Sequence, residues 1–289
     1  MNYNYKIFID AGADIDKSYL DNGLVEMLPM GYTVSGKVAS WDGIGTNKTI
    51  KDFYQAQKDG ETTQTTPLQQ EDYNEFFEIK ACHGIGILYI SMSSVLSKSN
   101  FFAKEAKRQM LSKYGDVPFY IVDSLSATGG IGIIAERAVM NRQLGLSLEE
   151  NAENLAMMSG RVHSWFYVQD LDYLRRTGRT SASKSFIGSL LGIKPILEIS
   201  SDGVLRQINK SFGTKKACEI LKELYVNNGC SDRTTSIYIT HADDLQNASN
   251  LQTIIKNDYP NVSIKLQYLS PIIGSHSGVG TVALHHYAG

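Results

Sequence analysis

The stretch LRRTGRTSASKSFIGSLLGIKPIL (174–197) places Arg175, Arg176, Arg179 and Lys184 just before an apolar, glycine-broken run of Phe186, Ile187, Leu190, Leu191 and Ile193. No acid intervenes. Fixed positive charge leading into apolar surface suits a ligand with an anionic head and an apolar tail. A basic loop followed by a core helix gives the same pattern, and both readings stand. A second candidate is His276 in GSHSGVGT (274–281), where a glycine-rich turn would bring backbone N–H groups and an imidazole near an anion. An ordinary loop histidine fits that string equally well. Ser93 and Ser94 follow the apolar run IGILYIS. Ser97 or Ser99 is better placed to cap the next helix, which leaves the pair free to face a ligand. ETTQTTP (61–67) is read as a hydroxyl-rich loop before a helix.

Other chemistries find less support. No G-x-S-x-G elbow exposes a serine, so a serine hydrolase would have to assemble Ser93 or Ser94 with His276 through the fold. GGIGIIA (129–135) has the G-x-G-x-x-A form of a dinucleotide fingerprint. It stands six residues beyond the end of its strand, and close helix packing explains the glycines as well. There is no phosphate-binding P-loop and no H-E-x-x-H. His285 and His286 are adjacent on an expected strand, point to opposite faces and cannot chelate together, so no metal site is expected.

The elements that must position these residues alternate. Strands are expected at 6–12, 85–94 and 119–124, with helices at 49–60, 68–84, 99–115, 130–145 and 148–162. That order implies a mainly parallel sheet with helices on its faces and ligands beyond the carboxyl ends of the strands, here Asp10, Ser93, Ser94, Asp123 and Ser124. After about residue 162 the pattern changes. A hairpin turned at Asp202-Gly203 mixes with helices at 215–229 and 250–260 and with strands at 164–170, 235–242, 263–270 and 280–288. We therefore expect two α/β domains, 1–162 and 163–289. The first is three-layer α/β/α with a mainly parallel sheet, and the second is two-layer with a mixed sheet.

At 289 residues, 42% hydrophobic and 20% charged, the chain is an ordinary globular protein. Its net charge of -2 and pI near 6.3 argue against nucleic-acid binding. Three scattered cysteines form no disulfide framework, and neither a signal peptide nor a membrane span is apparent, so a cytoplasmic protein is expected.

Six segments in order resemble the DegV family of bacterial fatty-acid-binding proteins: TTQTTP, YISMSSVLSKSNFFAKEA (89–106), FYIVDSLSATGGIG (119–132), LDYLRRTGRTSASKSFIGSLLGIKPIL (171–197), DGVL with KKA (202–205 and 215–217), and GSHSGVGT. The resemblance implies a two-domain α/β protein with a long-chain fatty acid held between the domains. It implies that Thr62 and the serine pair, Ser93 in preference to Ser94, hold the carboxylate, with Arg179 and His276 close by. Phe186, Ile187, Leu190, Leu191 and Ile193 would line the acyl chain. It further implies a non-catalytic role without a cofactor. The protein would be the acyl-binding subunit that presents the carboxylate to a separate ATP-binding fatty acid kinase subunit, which makes acyl phosphate for phospholipid synthesis. Arg175 and Arg176 are candidates for docking that partner, and solvated surface arginines are the alternative. The rival function is a serine hydrolase or acyltransferase using Ser93 and His276. The chain departs from the family pattern at Ala11-Gly12, at Lys98-Ser99 and at Thr65, where proline is usual.

Overall fold

The computed structural model describes residues 5–179, 192–228 and 236–288. The apolar run YKIFI forms β1 (Tyr5–Ile9). Asp16 then caps α1 (Lys17–Asp21) by accepting from the Ser18 amide, and β2 (Glu26–Met27) returns beside β1. β3 (Met30–Val34) and β4 (Lys37–Trp41) make a hairpin through Ser35 and Gly36, both at positive φ. α2 (Asn47–Lys58), capped by Thr46, leads into β5 (Thr63–Thr66), which adds to β3 and completes a small antiparallel sheet. Alternating units follow: α3 (Gln70–Ala81), β6 (Gly86–Ser91), α4 (Ser99–Tyr114), β7 (Phe119–Asp123), α5 (Gly129–Gln143) and α6 (Leu148–Ser159).

β2, β1, β6 and β7 lie side by side in that order, all parallel. Strand alternation sends Phe8, Ile87 and Tyr89 to the face covered by α3 and α4. Ile7, Ile9, Leu88 and Ile90 go to the face covered by α5 and α6. The result is the expected α/β/α sandwich.

The second sheet begins with β8 (Val162–Tyr167). After α7 (Asp172–Arg176) come β9 (Ile193–Ile199), β10 (Leu205–Phe212), α8 (Gly213–Asn227), β11 (Ile237–His241), α9 (Leu245–Asp258), β12 (Ile264–Tyr268), α10 (Pro271–Ser277) and β13 (Val282–Tyr287). The order is β10-β9-β8-β13-β11-β12, and only β11 and β12 are parallel, so this sheet is mixed. Trp165, Tyr167, Ile239 and Leu284 face α8 and α9, while Phe166, Leu197, Tyr238 and Ala283 face the first half of the chain.

Two elements join the halves. The start of α5 lies against β11 and β13 so closely that a Cβ on Gly129 would stand 2.6 Å from Tyr238 Cβ and 2.8 Å from His285 Cδ2, and one on Gly132 would stand 2.4 Å from the Asp14 carbonyl oxygen of its own half. The GGIG string is therefore a close-packing device. α10 docks on the other half: Tyr54 Oη donates to the Leu269 carbonyl at 2.8 Å, and Gln57 Nε2 to the Gly274 carbonyl at 2.9 Å. GSHSGVGT is not a free turn. Ser270 caps α10 with Pro271 at its first position, and His276 sits in its last turn.

Candidate functional site

A cavity opens between the halves, where the loops after β6 and β7 meet the inner face of the second sheet. Met92, Leu96 and Ala127 line it from one side. Phe166, Ile199, Leu205 and Ala283 line it from the other, and Leu174, Leu269 and Ile273 close it. It is narrow, with a cavity volume of about 70 Å³. Such a slot suits a thin apolar chain better than a bulky ring system.

The wall has two polar poles. At one, Arg179 is the only cation among the described lining residues, and it stands near His276. Arg179 follows α7 and donates through Nη1 to the Thr177 carbonyl at 2.6 Å, which orients the guanidinium. His276 Nε2 lies 3.2 Å from Thr65 Oγ1, while the buried Nδ1 has no hydrogen-bond partner among the described residues. Burial, then the Arg179 charge, push the imidazole down to about 3, so it is neutral at physiological pH. Where the Thr65 hydroxyl donates to Nε2, Nδ1 carries the proton and is a donor; in the other tautomer Nε2–H donates to Thr65 and Nδ1 is an acceptor. Ser277 and Thr281 also line this pole. Their hydroxyls donate to main-chain carbonyls, Ser277 to Ile273 at 3.2 Å and Thr281 to Gly278 at 2.9 Å, so only lone pairs remain to them. The fixed donor this pole offers an anion is thus Arg179, joined by His276 in the tautomer that carries its proton on Nδ1.

The other pole is Thr128 and His285. Thr128 precedes α5 at φ 53°, a strained conformation for a β-branched residue, costing on the order of 1–3 kcal/mol. The bond from its amide to the Gly12 carbonyl at 2.8 Å helps hold it there. Its Oγ1 lies 2.7 Å from His285 Nε2, His285 Nδ1 lies 2.8 Å from Ser164 Oγ, and Ser164 Oγ lies 3.0 Å from Ser126 Oγ. Burial, with His286 adding to it, pushes His285 down to about 3. The partners here join the two halves through residues 157 positions apart, which no local pattern reveals.

The sequence profile of the DegV family, described as one of uncharacterised proteins, matches residues 4–288. The chain belongs to the DegV family. Among its relatives, a DegV domain-containing protein of Clostridium perfringens is 31% identical over 280 residues, covering 97% of this chain and 96% of that one. A protein of Thermotoga maritima named as fatty acid-binding is 28% identical over 281 residues, covering 96% and 95%. Among solved structures, a DegV family protein of Ruminococcus gnavus with vaccenic acid has a TM-score of 0.88 at 22% identity, covering 99% of this chain and 100% of that one. The Fatty Acid Kinase (Fak) B3 protein of Streptococcus pneumoniae, loaded with linoleic acid, has a TM-score of 0.83 at 21% identity, covering 99% of each. At those identities the two structures speak for the DegV fold alone.

Against that family pattern, the structure brings only part of the expected site together. Arg179 and His276 share a pole of the cavity. Thr62, Ser93 and Ser94 are not among its lining residues. TTQTTP is mostly strand, and its alternation turns Thr63 and Thr65 inward and leaves Thr62 exposed, so Thr65 is the residue that meets His276. Ser93 is fully buried, and its Oγ donates to the Gly203 carbonyl at 2.9 Å, tying the end of β6 to the β9–β10 turn. Ser94 is exposed, and its amide donates to the Asp123 carboxylate. Ile193 is half-buried in β9 and away from the cavity lining. Phe186, Ile187, Leu190 and Leu191 lie outside the described residues. Arg175 is exposed and pairs with Asp172 at 3.2 Å, while exposed Arg176 lies 4.6 Å over the Tyr173 ring. Among the described residues no group of His, Cys, Asp or Glu side chains could hold a metal ion, and no helix is long and apolar enough to cross a membrane.

Proposed function

We propose that this protein binds a long-chain fatty acid in the cavity between its halves, with the carboxylate at Arg179 and His276 and the chain running along β13 toward His285. The observation that carries this reading is a narrow apolar cavity with a lone described cation at one pole, beside an imidazole whose buried Nδ1 has no hydrogen-bond partner among the described residues. A carboxylate needs charge-assisted donors at its head and removal of its tail from water. At about 0.8 kcal/mol per buried CH₂, a chain of about 16–18 carbons offers on the order of 10 kcal/mol before the costs of association. The names of the relatives point the same way.

The protein then acts as a cytoplasmic carrier subunit. It presents the bound carboxylate to a separate ATP-dependent kinase subunit that forms the acyl phosphate used in phospholipid synthesis. Arg175 and Arg176 stand exposed on α7, four and three residues before Arg179, where a partner bearing phosphates or acidic groups would meet them. For Ser93 to donate to the carboxylate its hydroxyl must leave the Gly203 carbonyl, and Thr62 and Ser94, exposed and outside the lining, must turn inward. The rival serine chemistry needs Ser93 against His276, whereas Ser93 is bonded to Gly203 and His276 to Thr65. Native mass spectrometry of the purified protein, followed by denaturing extraction, tests the reading. One fatty acid per chain is expected. An empty protein that takes up neither stearate nor oleate overturns it.

A further inference from the structure

The Thr128–His285 pole has no task in holding a plain fatty acid. A saturated or singly unsaturated chain wants an unbroken apolar wall, yet this wall contains a hydroxyl backed by four further polar side chains. Thr128 and His285 are 5% and 1% exposed, and both line the cavity. Its proton order follows from its far end. Ser126 donates to the Ala127 carbonyl at 3.4 Å, so Ser164 donates to Ser126, and His285 donates to Ser164 through Nδ1–H. That leaves His285 Nε2 to accept from the Thr128 hydroxyl, with Thr240 Oγ1 farther off at 3.4 Å. The tautomer is assigned from this chain of bonds. Thr128 Oγ1 then keeps its lone pairs, which accept from any O–H donor in the cavity. The arrangement is not a nucleophile and its base. No carboxylate backs His285, whose second nitrogen is engaged by a serine.

We propose that Thr128, held by His285, is a subsite for a hydroxyl carried part-way along the acyl chain, which makes a mid-chain hydroxy fatty acid the preferred ligand class. The placement follows from β13. Ala283 and His285 share its cavity face with Thr281, the residue just before the strand, and four residues of extended chain separate Thr281 from His285 by roughly 13 Å. An extended chain advances roughly 1.2 Å per bond, so the hydroxyl falls about ten or eleven bonds from the carboxylate pole. In a wall without a partner, a buried hydroxyl is penalised. Here it finds an acceptor.

The inference rests on the fatty-acid reading, and the experiment separates the two. Binding of stearate, oleate and 10-hydroxystearate is measured by calorimetry for the wild type, Thr128→Val and Thr128→Ser. Wild type is expected to bind 10-hydroxystearate at least as tightly as stearate. Thr128→Val, isosteric but without the hydroxyl, is expected to weaken 10-hydroxystearate about tenfold relative to stearate, and Thr128→Ser to restore the ratio. A purely structural role would weaken all three acids alike and leave the ratio unmoved, which overturns the proposal. So does a wild type that binds stearate tenfold more tightly than the hydroxy acid, a result that decides the matter even when Thr128→Val does not fold. Failure of all three acids to bind overturns both the subsite and the fatty-acid reading, whereas stearate binding with an unmoved ratio overturns the subsite alone.

Discussion

Ala283→Leu tests the course of the acyl chain. Ala283 is 3% exposed on the cavity face of β13, opposite Phe166 of β8 and between Thr281 and His285. Leucine adds three carbons, which project into the slot because the backbone on both sides is fixed by β8 and β11. A cavity this narrow has no spare width, so the new side chain displaces about three methylenes of the ligand. At about 0.8 kcal/mol each the loss is ~2.4 kcal/mol, which at about 1.4 kcal/mol per tenfold is roughly a 50-fold rise in Kd for stearate. Overpacking of the empty protein costs on the order of 1–3 kcal/mol, so the melting transition is followed in parallel and Kd is read only on folded protein. Calorimetric titration gives the result. A stearate Kd within threefold of wild type would refute the placement of the chain along β13, whatever else the protein binds.

Three further outcomes are expected. Arg179→Met should weaken stearate roughly 10- to 100-fold while leaving stearyl alcohol unaffected, because a charge-assisted bond is worth about 1.5–3 kcal/mol; equal losses for both would show that Arg179 does not read the carboxylate. Ser93 should resist a fluorophosphonate probe, and Ser93→Ala should lower the melting temperature by a few degrees through loss of about 1 kcal/mol of hydrogen bonding to Gly203; rapid labelling of Ser93 would revive the serine-enzyme reading. Asp14, whose Oδ1 accepts from the Ser270 amide at 2.9 Å, is pushed up to about 8 by burial. A raised carboxyl favours the folded state at low pH and loses that contribution as pH rises from about 4 through about 8. Asp14→Asn keeps the acceptor without the ionisation, so its melting temperature relative to wild type should climb between pH 5 and pH 8, and a constant difference would mean that Asp14 is ionised throughout.

The parallel sheet was legible because YKIFI, GILYIS and FYIVD are contiguous apolar runs ending in Asp or Ser, with patterned helices between them. The small sheet was not. MGYTV, KVASW and TQTT mix hydroxyls and charges with few buried side chains, and strands held mainly by cross-strand hydrogen bonds leave a weak hydrophobic period. α10 carried a readable start signal in Ser270-Pro271, but GSHSGVGT, with its glycines and hydroxyls, outweighed it. Arg179 and His276 could be singled out from residue type and neighbouring pattern. Their meeting depends on α10 docking across α2 and β5, and the Thr128–His285 pole depends on packing between the halves. Neither contact leaves a periodic trace in the chain.

The two histidine nitrogens facing the cavity follow from the same physics. Burial, helped by Arg179 at His276 and by His286 at His285, holds both imidazoles neutral, so neither competes with Arg179 for the charge of a ligand. One fixed cation against one carboxylate leaves a neutral pair in an apolar slot, the arrangement that avoids an uncompensated buried charge. A second cation would favour a dianion such as a phosphate, and none stands among the described lining residues. A neutral imidazole still donates through one nitrogen, which adds direction without adding charge. The head pole is thus matched to a monoanion.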